Sequence, residues 1–383
     1  MKAKIINFEV LYTTKSVDIL DLTKDLVLKE IDIASQEGCD SIIGLMLVDG
    51  FLYKDNEEYY SLLQRIQDYC YSKNINDLVL IVGMCDDYQH KLDERNLNYK
   101  IMFWDFNLNM VYQSYNNKET ATWNPTAEKF LFLGGVPSRS NRIVLLSKFY
   151  NSGLLNRSEY SFFPPWTESD KEWCRNALAD MYNYDQFLND CDRSIDDLYS
   201  TAKDYSRLSS AELLETKIHE TDWCQNPGWI DPSVFYGTCF SIISEGNAYP
   251  PATDYKFLTE KTWRTVVNRH PFIFAGEVEQ YQYLVSKGLR TFEEYMFPYG
   301  HLSNENNRFD LIVLNTEVFL QSIKQNKAAI RNDIEHNFNI FVKEAERNNS
   351  LLDFLSNNYS ITEEELTRWF KQKSFTHLVT VKE

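Results

Sequence analysis

Short apolar runs of β type alternate with longer segments of helical period from Met1 to about Pro165, and the alternation returns after Val234. That rhythm constrains the chain more than any other feature, because it is the pattern of layered α/β architecture. Ile5 to Tyr12 reads as the first strand, and Leu20 to Gln36 carries apolar residues at helical spacing until Gly38 stops it. Ser41 to Val48 is a buried strand, Tyr59 to Ser72 a helix, and Leu78 to Met84 a further strand ending at Asp86 and Asp87. Tyr99 to Asp105 and Met110 to Tyr112 suggest a hairpin-like pair at an edge. Lys129 to Leu133 is another short strand, leading through Gly134-Gly135-Val136-Pro137 into a helix from about Ser140 to Tyr150.

Four regions are expected. Residues 1–165 form an N-terminal α/β domain, and residues 166–233 form a helical connecting region. In the latter no convincing strand appears, and Ser169 with Glu172 and Ser209 with Glu212 have capping-box spacing. Residues 234–348 form a second α/β domain, with strands at Cys239 to Ile243 and Pro271 to Ala275 and a long helical stretch over Thr316 to Asn348. Residues 349–383 form a helical tail, with a last capped helix at Thr362 to Lys371.

Several classes are excluded by composition. The 383 residues include 56 acidic and 39 basic side chains, a net charge of -17 that repels polyanions, so nucleic acid is not an expected partner. The longest apolar runs fall well short of the roughly 20 residues that cross a bilayer. The N-terminus reads as a strand, without the basic start and apolar run of a secretion signal, so the expected location is the cytoplasm. Seven widely spaced cysteines with no C-x-x-C pair favour free thiols in a reducing compartment.

Two segments could carry chemistry. In Phe257-Leu258-Thr259-Glu260-Lys261-Thr262-Trp263, Thr259 is placed to cap a helix whose first turn holds Glu260 and Lys261, and Pro271 ends it before the next strand. A helix start at the carboxyl edge of an α/β sheet is where nucleotides commonly dock. A carboxylate there can accept hydrogen bonds from ribose hydroxyls, and an ammonium can neutralise a pyrophosphate. The competing reading is a capped helix whose Glu and Lys are merely solvated. In Gly134-Gly135-Val136-Pro137-Ser138-Arg139-Ser140-Asn141-Arg142 a strand, a Gly pair, hydroxyl residues and a helix start form an anion cradle with Arg142 one turn inside it. An ordinary βα turn with solvated arginines is the alternative.

Three stretches, Phe240-Ser241-Ile242-Ile243-Ser244-Glu245-Gly246-Asn247, Phe257 to Lys261, and Pro271 to Gly276, together resemble motifs of the fucosyltransferase-like group of GT-B glycosyltransferases, of the kind found in bacterial and phage genomes. The resemblance is clearest over Cys239 to Gly276 and extends more weakly over Lys129 to Tyr150. It implies two Rossmann-like domains facing a cleft, with the helical region connecting them. It also implies a nucleoside-diphosphate sugar as co-substrate, and a bacterial or phage-infected cell as the setting. The implied donor-binding set is Arg142, Asn141, Glu245, Thr259, Glu260 and Lys261, with Glu260 on the ribose, Lys261 on a phosphate and Arg142 on the pyrophosphate from the N-terminal part of the cleft. Gly246 stands where the family has Asn and Phe257 where many members have Tyr, so GDP-fucose is not implied as the donor.

An inverting transfer needs a base for the acceptor hydroxyl and positive charge on the leaving diphosphate. Asp49 and Asp86 follow strands of the first domain and are the candidate bases, with helix capping or simple solvation as their competing role. No metal or other cofactor is expected. Asp190-Cys191-Asp192 has D-x-D spacing but no strand before it, and the six histidines show no zinc-binding pairing. Neither a P-loop nor a G-x-G-x-x-G occurs. Trp223, Trp229 and Tyr236 could stack on a sugar or base, or belong to the core. The expected function is sugar transfer to a carbohydrate, protein or modified-base acceptor. The alternatives are a phage-type DNA-base glycosyltransferase and a non-catalytic sugar- or nucleotide-binding protein on the same scaffold.

Overall fold

The computed structural model describes residues 2–8, 17–46, 57–83, 89–115, 118–135, 152–162, 230, 232–245, 257–303 and 305–359, with single positions between 142 and 149. These residues form a mixed α/β protein with two parallel four-stranded sheets. The chain divides into two compact units. One holds Met1–Asn109, Asp254–Phe257 and Glu344–Glu383, and the other Met110–Thr253 and Leu258–Lys343.

In the first unit the strands β1 (Ala3–Asn7), β2 (Ser41–Met46), β3 (Asp77–Val82) and β4 (Tyr99–Phe103) lie in sequential order, all parallel. They alternate with α1 (Val17–Gln36), α2 (Glu57–Ser72) and α3 (Gln89–Glu94). Parallel neighbours need a crossover, and the helical segments between them supply it. Because side chains alternate along a strand, the sheet feeds two separate cores. Ile42, Leu78, Leu80 and Val82 pack with Val27, Ile31, Leu63, Ile66 and Leu92 of the three helices. Ile5, Ile43, Leu45, Val79 and Ile81 face the other way, and they meet Leu355 and Tyr359 from the end of the chain's longest helix.

That residue order accounts for one difference from expectation. Met110 to Tyr112 is not a strand, because Phe106–Tyr115 forms helix α4. The Leu108 N–H donates to Asp105 Oδ1 at 2.8 Å, a helix-start cap that outweighs the β-type triplet behind it. Asp105 is itself held by Asn348, whose Oδ1 accepts from the Asp105 N–H at 2.9 Å and whose Nδ2 donates to its carbonyl at 3.0 Å.

In the second unit β5 (Phe130–Gly135), β6 (Ser158–Phe162), β7 (Ser241–Ser244) and β8 (Phe272–Ala275) form a parallel sheet in the order β6-β5-β7-β8. The expected boundary at residue 165 places β5 and β6 in the N-terminal domain. Their ladder partner is β7, so they belong to the second sheet, and the first unit's share of the early chain ends at Asn109. Short apolar strands do not reveal which sheet they join, since the pairing is non-local. Leu131 and Leu133 pack with Ala121, Ile230 and Phe235 on one face. Phe130 and Phe132 meet Phe149 on the other, and Phe240 meets Phe319, which is one use of a 15% aromatic content.

The helices of this unit are α5 (Pro232–Tyr236), α6 (Glu260–Val267), α7 (Val278–Ser286) and α8 (Glu305–Gln325). The expected single helical stretch over Thr316 to Asn348 is two helices, α8 and α9 (Lys327–Tyr359), divided at Asn326. There the Asn326 Nδ2 donates to the carbonyl and hydroxyl of Ser322. Helix α9 belongs to the second unit up to Lys343 and to the first from Glu344 onward. Residues 349–359 are therefore a continuation of that helix rather than a separate tail. The connecting region, apart from its last residues, and the helix at Thr362 to Lys371 lie outside the described residues, and no described helix is long and apolar enough to cross a membrane.

A buried polar bridge fixes the far end of α6. Asn268 Nδ2 donates to the Tyr115 hydroxyl at 2.7 Å and to the Arg264 carbonyl at 2.8 Å, while its Oδ1 accepts from the Ala121 N–H at 3.1 Å. All its capacity but one lone pair is thus used inside the core. The three described cysteines, Cys39, Cys70 and Cys239, are buried free thiols, and burial pushes those of Cys70 and Cys239 up to about 12.

Candidate functional site

Strand order places the candidate residues. β5 connects onward to β6 on one side, and β7 to β8 on the other, so the strand order reverses between the adjacent parallel strands β5 and β7. The carboxyl ends of two such strands leave a crevice between their diverging connections, where ligands of open α/β sheets bind. Gly134-Gly135 ends β5, and the helical Arg142 follows it. Glu245 directly follows β7, and α6 opens at Thr259 and Glu260. Gly134-Gly135 from one segment singled out in the sequence and the α6 start from the other therefore lie at one sheet edge of one unit. Arg142 comes from the same unit as Lys261, and not from the N-terminal domain as the resemblance implies.

The start of α6 is held tightly. Thr259 is the N-cap, in extended conformation with φ -85° and ψ 176°, and its Oγ1 accepts from the Lys261 N–H at 3.3 Å. Glu245 is fully buried, and its Oε1 accepts from the Thr259 N–H at 3.0 Å and from the Thr262 hydroxyl. This carboxylate ties the end of β7 to the first turn of α6. Its observed part is to hold the helix start, using donors that an anion would otherwise meet.

Charge at the site is concentrated on three side chains. Glu260 Oε1 accepts from Lys261 Nζ at 3.0 Å and from Arg264 Nη2 at 3.2 Å, and the Arg264 Nε–H donates to the Glu260 carbonyl at 3.3 Å. Burial would raise the Glu260 carboxyl, but the Lys261 and Arg264 charges outweigh it and hold the group at about 2. Glu260 is therefore an anion at any physiological pH. Lys261 also reaches Thr259 Oγ1 at 3.5 Å, which leaves one of its three N–H donors for a further acceptor. Its side chain is 17% exposed against 24% for Glu260.

Arg142 is buried, 6% exposed, on a helical turn. Asn141, Asp49 and Asp86 lie outside the described residues, as do Asp190, Asp192, Trp223 and Trp229. Tyr236 is on α5 and is 58% exposed. Among the described residues no group of three or more His, Cys, Asp or Glu side chains could hold a metal. A surface depression of about 410 Å³ is lined by Tyr295, Phe297, Val318 and Asn326, among others, and shares no residue with the candidate set.

Arg264 and Thr262 are absent from the sequence-based set. The first was signalled by its i+4 spacing from Glu260, the spacing at which opposite charges meet on one helix face. Thr262 carries no comparable signal, because its partner is 17 residues away. Comparison of the chain with protein-family models, with curated proteins and with solved structures gives no match.

Proposed function

We propose that the chain is a glycosyltransferase of the GT-B arrangement that moves a sugar from a nucleoside-diphosphate donor to an acceptor hydroxyl, with inversion and without a metal. The observation that carries the reading is that the end of β5, which leads on in sequence to Arg142, and the α6 start with Glu260 and Lys261 lie at the carboxyl edge of the adjacent parallel strands β5 and β7. Two fixed cations and the positive end of α6 are the groups a departing diphosphate requires, and they gain strength where water is partly excluded. Glu260, ionised and partly exposed, supplies an acceptor for ribose hydroxyls. The acceptor proton would go to Asp49 or Asp86, the candidate bases, which come after β2 and β3 in the sequence.

A panel of nucleoside diphosphates and nucleotide-sugars, read by thermal shift and then by calorimetry, tests the donor site directly, since ligands that bind only the folded chain raise its melting temperature. In the same assay Lys261→Ala should weaken binding by about 1.5–3 kcal/mol, roughly 10- to 150-fold, while leaving folding nearly unchanged. Unaltered affinity in a folded variant would return Lys261 to the role of a solvated helix residue. Donor turnover should also persist in excess EDTA. Loss of transfer on chelation, restored by magnesium or manganese, would move the phosphate site to a metal and bring Asp190 and Asp192 into question as ligands. Binding without hydrolysis or transfer of any donor would instead favour a non-catalytic binding protein.

A further inference from the structure

Arg264 sits one helical turn behind Glu260, with its side chain only 9% exposed. It grips Glu260 twice, through Nη2 to the carboxylate and through Nε to the main-chain carbonyl. Both cations that touch the carboxylate use the same oxygen, Oε1, and among the described residues no hydrogen bond goes to Oε2. A planar guanidinium with donors in a fixed fork sets direction as well as charge, unlike the flexible ammonium of Lys261. The carboxylate is thus pinned by one oxygen, on a side chain that keeps 24% of its surface exposed.

We propose that Arg264 is a positioning residue of the donor site: it orients Glu260 so that Oε2 accepts from the hydroxyls of a ribose, and it thereby makes the site selective for ribonucleotides over sugars lacking that diol. This rests on the donor-site reading given above. With Arg264 in place, Lys261 shares Glu260 and keeps a donor for phosphate. Without Arg264, Lys261 alone holds the carboxylate, and both groups lose their orientation toward a nucleotide.

The test is calorimetric titration of the full chain with the four common ribonucleoside diphosphates, their 2′,3′-dideoxy counterparts and inorganic pyrophosphate, in wild type, Arg264→Gln and Arg264→Lys. Wild type should favour the ribo form of its best nucleotide by at least about tenfold, the scale of a hydrogen bond to a charged group. Arg264→Gln should bring that preference to within about twofold while pyrophosphate affinity changes less, and Arg264→Lys should restore part of the preference. A folded Arg264→Gln protein that keeps the full ribo preference would overturn the positioning role. So would equal loss of nucleotide and pyrophosphate binding, the signature of a merely structural residue. If Arg264→Gln does not fold, Arg264→Lys decides: a ribo preference identical to wild type, despite losing the fork, overturns the assignment, and a reduced one supports it. Failure of wild type to bind any of these probes is a different result, because it removes the donor-site reading itself.

Discussion

Leu355→Ala is expected to lower the unfolding free energy by about 3–5 kcal/mol, among the largest effects of any single truncation in the first unit. Leu355 is fully buried against Ile43, Leu45, Val79 and Ile81, on the sheet face that α1, α2 and α3 do not cover. Removing its branched end loses transfer free energy and leaves a cavity in a wall made by one helix. The neighbouring Phe354 is 45% exposed, and Phe354→Ala should shift stability by no more than about 0.5 kcal/mol. Urea denaturation followed by circular dichroism compares the two. Equal losses would mean that helix formation over 351–359, and not the covered sheet face, carries the energy.

Acidification should destabilise the chain in two separate windows. His270 is 2% exposed, with Nε2 against the Thr238 carbonyl at 3.0 Å and Nδ1 against the Ser241 hydroxyl at 2.8 Å. Burial disfavours its cation and brings it down to about 4, although the Thr238 bond pushes the other way. The neutral ring then donates from Nε2 and accepts at Nδ1. Because the folded value lies below the ordinary 6.5 or so, the unfolded chain binds the proton more readily. The stability is fully present above about pH 6.5, is lost as pH falls toward 4, and is constant below that. The full loss is on the order of 3 kcal/mol. Glu260, lowered to about 2, acts in a lower window, from about 4.5 downward. His270→Gln should therefore flatten the slope between pH 6.5 and 4 and spare the one below it. An unchanged slope in that variant would assign the upper window to other groups.

Much of the first sheet was legible because its strands are apolar on both faces and its helices carry clear periods. Ser41 to Val48 and Leu78 to Met84 correspond to β2 and β3 within a few residues, and Tyr59 to Ser72 to α2. The start of α6 was equally readable, since Thr259 and Pro271 bracket a helix with local chemistry alone. The failures are of two kinds. At Met110 to Tyr112 a short β-type triplet hid a helix that Asp105 announces from the capping position. The allotment of β5 and β6, the strand order and the covering of the first sheet by α9 depend on contacts between distant residues, which no local pattern encodes. For the candidate site, sequence spacing placed Glu260 and Lys261 in the first turn of α6 but gave no sign of the part Glu245 plays, because a carboxylate after a strand looks alike whether it faces a ligand or clamps a helix.

Helix α9 also separates the order of synthesis from the order of folding. The first four strands leave the ribosome early, yet the described helical cover of one face of their sheet, Leu351, Leu355 and Tyr359, is made only near the end of synthesis. At ~5–20 residues per second the intervening chain takes on the order of 10–50 s to emerge, and domains ordinarily fold as they appear. Here Ile43, Leu45, Val79 and Ile81 wait for their partners on α9 while the described strands of the second unit are already complete. A nascent chain stalled before residue 351 should therefore expose an apolar sheet face and recruit chaperones, whereas release of the finished chain closes it.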